Sequence, residues 1–302
     1  MHQDESYRTI WLSRASWLTA ALALSLTGVL ASPLAGVSAP QKNSKNTQKQ
    51  ALTPEQQAAA AEAADYGALV NDFDLDHQLQ SVDAFAKKYP NSQRLTYVYF
   101  IGANIERQKN NPQAAIDYAE KSLKLKPDNF GSMVLLAQTL PQPQVLKDQP
   151  DKGKVLTEAE TDANQVLQIL ATSPNAQFPK QPNDTDDAFA KRKSMLTADL
   201  HFALGMVHLQ RAQEGLQGLD KEELAKAEQE FQASVTGTDQ PDPTAYYRYG
   251  ETLNWEGKID QAIAAFSKCS ELSQGTAMQP LADKEVQQLK AKKAASQAPP
   301  KQ

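Results

Sequence analysis

The sequence predicts an all-α protein of about five antiparallel helix pairs, closed by a C-terminal capping helix. Three observations predict it. From Thr53 onward Ala, Gln, Lys, Glu and Leu dominate, and alternating β-branched runs are missing. Apolar residues return at helical spacing, as in Ala115, Ile116, Ala119 and Leu123, or in Ile259, Ala262, Ile263 and Phe266. Turn residues cut the helices short at Tyr89-Pro90-Asn91, Asn110-Asn111-Pro112, Lys126-Pro127-Asp128-Asn129, Ser173-Pro174-Asn175 and Asp239-Gln240-Pro241. Proline stops a helix because it lacks the amide hydrogen and clashes with the preceding turn.

The elements follow in order. Residues 1–31 read as a secretory signal: Arg8 and Arg14 precede the uncharged apolar stretch 17–30, and small residues allow cleavage after Ala31. An uncleaved anchor helix is the alternative, but Pro33, Gly36 and Ser38 dilute the apolar run that a span requires. Residues 32–52 form a polar linker with no apolar periodicity, expected to be disordered. The helical domain is placed at 53–295, with insertions near 141–153 and 175–186, and a disordered tail at 296–302.

Within that domain a period recurs. Segment 243–274 sets Gly250 in a first helix, Gly257 at a turn, and Ala262 and Phe266 in a second helix. Segment 96–129 repeats the plan with Ala103, Ala115 and the exit Leu125-Lys126-Pro127-Asp128-Asn129, but has Ala119 where the ring stands in the other copy. A split copy offers Ala203-Leu204-Gly205, then Ala227 and Phe231, with about ten extra residues expected around 212–219. Residues 130–174 give a copy whose turn is replaced by the insertion at 141–153. The most degenerate pair, 54–90, retains Val82, Phe85 and the exit Tyr89-Pro90-Asn91-Ser92. Small residues are needed where two helix axes approach to about 8 Å. Gly250→Leu is therefore expected to destabilise, with Gly237, in a predicted loop, as the tolerant control. Residues 281–294 add a helix with Leu281, Val286 and Leu289 on one side, suited to cover the last pair.

These residues resemble the tetratricopeptide repeat, and the exit after residue 88 looks like that of envelope-assembly repeat proteins of Gram-negative bacteria. The resemblance implies a right-handed superhelical solenoid whose first-helix residues line a concave groove that captures an extended peptide or a partner helix. Transferred by position, the groove set is Tyr97, Phe100, Asn104 and Arg107, then Phe202 and Met206, then Tyr247, Glu251, Asn254 and Trp255. Rings supply contact area and amides pair with peptide backbone. The lysine and asparagine that clamp a C-terminal carboxylate in some members are replaced by Phe100 and Leu135, so that clamp is not expected.

Composition narrows the function classes. The net charge is −5, without the clustered basic face that nucleic acid requires. The one cysteine, Cys269, falls at a small packing position and cannot form an internal disulfide. No zinc, phosphate-loop or nucleophile-elbow motif occurs. His201 and His208 lie seven apart on one helix, an incomplete metal or acid–base pair. No catalytic residue, metal or cofactor is expected. The leading expectation is a periplasmic or secreted scaffold or assembly factor that binds a protein or peptide. The alternatives are an enzyme or accessory domain acting on envelope substrates, and a solute- or metal-binding protein using the two histidines.

Overall fold

The computed structural model describes residues 53–172, 177–181, 183–215 and 218–297. The expected leader and linker, and the tail beyond 297, lie outside the described residues. Twelve helices and no strand occur among those described. They are α1 (Pro54–Val70), α2 (Leu75–Lys88), α3 (Leu95–Gln108), α4 (Pro112–Leu125), α5 (Phe130–Thr139) and α6 (Pro143–Leu146). Then come α7 (Lys152–Thr172), α8 (Asp186–Gln213), α9 (Lys221–Thr236), α10 (Pro243–Trp255), α11 (Ile259–Leu272) and α12 (Met278–Gln297). None of them is long and apolar enough to cross a membrane.

Consecutive helices pair as α1–α2, α3–α4, α5–α7, α8–α9 and α10–α11, and each pair stacks on the next. The protein is thus an all-α solenoid of five helix pairs with α12 laid against α11. Helix starts are fixed by side chains that accept otherwise unpaired backbone N–H groups. Asp74, Asn129, Thr185, Asp220 and Asp242 each cap one, and Thr53 forms a reciprocal box with Gln56. The exit of the first pair is bonded back onto α1: Tyr89 Oη donates to Asp65 at 2.8 Å and Ser92 Oγ to Glu62 at 2.6 Å.

The crossings use small residues against rings. Added Cβ atoms would lie 2.6 Å from the Phe231 ring at Gly205 and 3.0 Å from the Phe266 ring at Gly250. Both rings are buried, as are Ala227 and Ala262 beside them. In the α3–α4 pair Ala103, Ala115 and Ala119 are fully buried. The ring there comes from Tyr118, which lies against Gly102 at 3.0 Å from a notional Cβ. Glycine and ring are thus each displaced by one position relative to Ala103 and Ala119, and the crossing keeps its shape.

Asn110 (φ 60°) and Gly257 (φ 79°) each stand two residues ahead of the second helix of their pair. The left-handed turn is tolerated by asparagine and is free for glycine. Gly257→Ala is therefore expected to cost roughly 1–2 kcal/mol in a urea titration. An unchanged midpoint would contradict that reading of the turn.

The extra residues of the split copy lengthen both its first helix and the connection after it: α8 runs from Asp186 to Gln213, and α9 starts at Lys221. Two expectations are corrected. Gly237 is no open loop position, since it closes α9 and an added Cβ would meet the Ala233 carbonyl at 2.8 Å. The last helix is longer than 281–294: it runs from Met278 to Gln297, into the expected tail. Its Met278, Ala282 and Leu289 are buried in one cluster with Phe266 and Cys269. Burial pushes the Cys269 thiol up to about 12 and leaves no reactive thiolate there.

Candidate protein-binding face

The structure divides the ten groove positions that the repeat resemblance implies. On α3, Tyr97 is 39% exposed. Phe100 is half-buried, with its ring filling the space that glycine leaves at Gly131, where a Cβ would lie 2.4 Å away. Asn104 Nδ2 donates to the Phe100 carbonyl at 3.1 Å, and Asn104 Oδ1 accepts from Arg107 at 3.3 Å. Burial draws the Arg107 guanidinium below its usual value. Tyr97, Asn104 and Arg107 thus follow one another along a single face of α3.

On α10, Trp255 is 37% exposed and Glu251 accepts from Arg248 at 2.7 Å. Asn254 presents a side-chain oxygen that is buried and has no hydrogen-bond partner. Two groove assignments fail outright. Met206 is 1% exposed and belongs to the α8–α9 core with Leu209 and Phe231. Tyr247 is 7% exposed, its ring edge-on to Phe266 at 5.2 Å. Both were placed by repeat position, but neighbouring helices close over them. Phe202 is half-buried, 5.7 Å from Phe231, and packs against the same core.

Between α3 and α10 the face is interrupted. Every residue of α5 from Phe130 to Ala137 is buried, so this first helix offers no open side. The front of α8 and the segment before it account for part of that cover. Phe178 lies 5.9 Å from Phe130 and stacks on Phe189 at 5.9 Å. Arg192 lies over both the Phe178 and Phe189 rings, pairs with Asp184 and donates to the Pro179 carbonyl. The sequence reading took 175–186 as an insertion and missed Phe178 as a core residue. A ring among Pro, Asn and Asp carries no periodic signal.

The histidines are committed to carboxylates. His201 Nδ1 lies 2.7 Å from Glu230 and His208 Nδ1 2.8 Å from Glu223, so both tie α8 to α9. No group of three or more His, Cys, Asp or Glu residues among those described could hold a metal ion. His208→Ala removes a buried partner of Glu223 and is expected to destabilise by about 1 kcal/mol or more. A thermal melt of His208→Ala at or above the wild-type midpoint would contradict that role.

Comparison with known proteins bears on the fold. The tetratricopeptide repeat family model matches residues 96–129 and 243–276. Those segments hold α3–α4 and α10–α11, the pairs that carry Tyr97 and Trp255. No curated protein matches the sequence. Among solved structures, the crystal structure of the yeast Tom70 aligns at a TM-score of 0.36 and 17% identity. The alignment covers 78% of this chain and 48% of that one, so this chain spans about half of that protein's length. An all-α solenoid with tetratricopeptide repeats in its second and fifth pairs is the architecture of this chain.

Proposed function

We propose that the protein is an exported scaffold or assembly factor of the bacterial cell envelope that binds a protein or peptide through first-helix residues. The observation that carries the binding half is the exposure of Tyr97 and Trp255, one ring on the first helix of each matched repeat. Arrays of this kind hold partners on first-helix surfaces, and aromatic residues with polar neighbours are the usual anchors of such contacts. The polar neighbours here are Asn104 and Arg107 on α3, and Glu251 and Asn254 on α10. The export half is supported by Arg8, Arg14 and the uncharged stretch 17–30.

Two experiments test the reading. A full-length fusion to a reporter active only outside the cytoplasm should give signal; activity confined to the cytoplasm ends the envelope assignment. Affinity capture of the wild-type protein from envelope extract, with mass-spectrometric identification, supplies a partner for titration. Tyr97→Ala and Trp255→Ala should each weaken that partner by about 2 kcal/mol, roughly thirtyfold, with helicity intact by circular dichroism. Full affinity in both folded variants would move the binding surface elsewhere.

A further inference from the structure

Helix α7 carries the apolar stripe Leu156, Ala159, Ala163, Val166 and Leu170, and all five are buried. Asp162 interrupts it at 8% exposure, and its Oδ2 is buried with no hydrogen-bond partner. The position is specific. Ala159 belongs to a cluster with Ala115, Ile116, Ala119 and Leu136, whereas Ala163 belongs to one with Phe130, Met133 and Val134. Leu123 of α4 packs against both. Asp162 therefore stands at the joint where the first two helix pairs meet the rest of the array.

Among the described residues, no group donates a hydrogen bond to that buried oxygen. Glu158, one turn earlier on α7, repels it. On α4, burial and the same Glu158 raise the Glu120 carboxyl too, with Asp117 adding and Lys124 and Lys154 opposing. Helix α5 has no titratable residue between Phe130 and Thr139. On α8, Asp186 pairs with Lys180, Lys191 with Asp239, Arg192 with Asp184, His201 with Glu230, His208 with Glu223 and Arg211 with Glu160; the other charged groups of that helix are Asp187, Lys193 and Asp199. Burial disfavours an unpaired carboxylate strongly and the neutral acid far less.

We propose that Asp162 is a proton-operated latch: while its carboxyl is neutral the joint stays shut, and ionisation loosens α4 and α7 from α5. Burial, with Glu158 adding to it, pushes this carboxyl up to about 7 from an ordinary 3.8. In the open joint it returns toward the ordinary value, so opening releases a proton. The closed form consequently loses stability as pH rises from about 4 to about 7, and the loss levels off above that. The latch depends on neither the partner nor the export assignment.

Hydrogen exchange of the full chain, corrected for the intrinsic pH dependence of amide chemistry, reads the opening directly. The opening constant for amides in 115–123 and 156–166 should rise about fiftyfold between pH 5 and pH 7 and flatten by pH 8. In Asp162→Asn it should stay level across that range. Asp162→Leu, apolar and similar in size, serves as a second variant should the amide itself disturb the joint. A level wild-type profile, or the same rise retained in either variant, overturns the proposal. If neither variant folds, the wild-type profile decides alone: a rise spread evenly over all helices also overturns it.

Discussion

Gly205→Ala is expected to lower stability by about 2–3 kcal/mol, and Gly205→Leu to keep α8 and α9 from closing. The added Cβ would sit 2.6 Å from two carbons of the Phe231 ring. Such a contact is relieved only if the ring moves, and Phe231 is 0% exposed with Phe202 beside it. Interiors packed to crystal density have no spare volume for that movement. Gly67→Ala is the matched control. It lies inside α1, a Cβ there would meet nothing within 4 Å, and the helix gains roughly 0.5–1 kcal/mol from losing a glycine. Opposite shifts of the urea midpoint are thus expected from the same substitution. A Gly205→Ala midpoint at or above wild type would show that the crossing has slack and that the close approach of α8 and α9 is wrong.

Phe178→Ala is the second large effect, expected at about 3–5 kcal/mol. The ring is 5% exposed and bridges Phe130 at the start of α5 to Phe189 near the start of α8. Truncation also strips one of two rings from the Arg192 guanidinium, whose Nε is already buried without a partner. The damage should be local: limited proteolysis is expected to speed up between 177 and 195 before the α10–α11 pair is touched. Uniform loss across the chain, or none, would place Phe178 outside the core.

Helical period and turn chemistry made the five pairs legible, because both are local properties. Ala227, Phe231, Ala262 and Phe266 could be placed by their resemblance to the repeat signature, which is steric: a crossing admits only small residues opposite a ring. The α3–α4 crossing shows the limit. Ala119 at the ring position suggested a ringless copy, yet Tyr118 and Gly102 restore the contact one residue away. A coordinated shift in two helices does not show in either helix by itself. The binding face was less legible for a related reason. Repeat position fixes the direction a side chain leaves its helix, but burial depends on how closely the next helix approaches. Trp255 and Tyr97 remain exposed, whereas Met206 and Tyr247, at other first-helix positions, are covered. Asp162 was missed because a single carboxylate among Glu, Thr and Asn on α7 looks like one more solvated residue.

The burial of α5 from Phe130 to Ala137 has a consequence for how the chain can be cut. In an ideal linear array each repeat touches only its neighbours, so units can be deleted or duplicated at modest cost. Here α5 packs on α3, α4, α7 and α8, and so acts as a keystone whose flanks arrive from both sides. A fragment ending before α7 would leave Leu135, Leu136 and Met133 facing water, and one starting at α7 would lose the surface they fill. Neither half should be obtained as a soluble, cooperatively melting piece. Shortening or circular permutation is better attempted at the loop between α9 and α10, where one helix pair meets the next without a shared central helix.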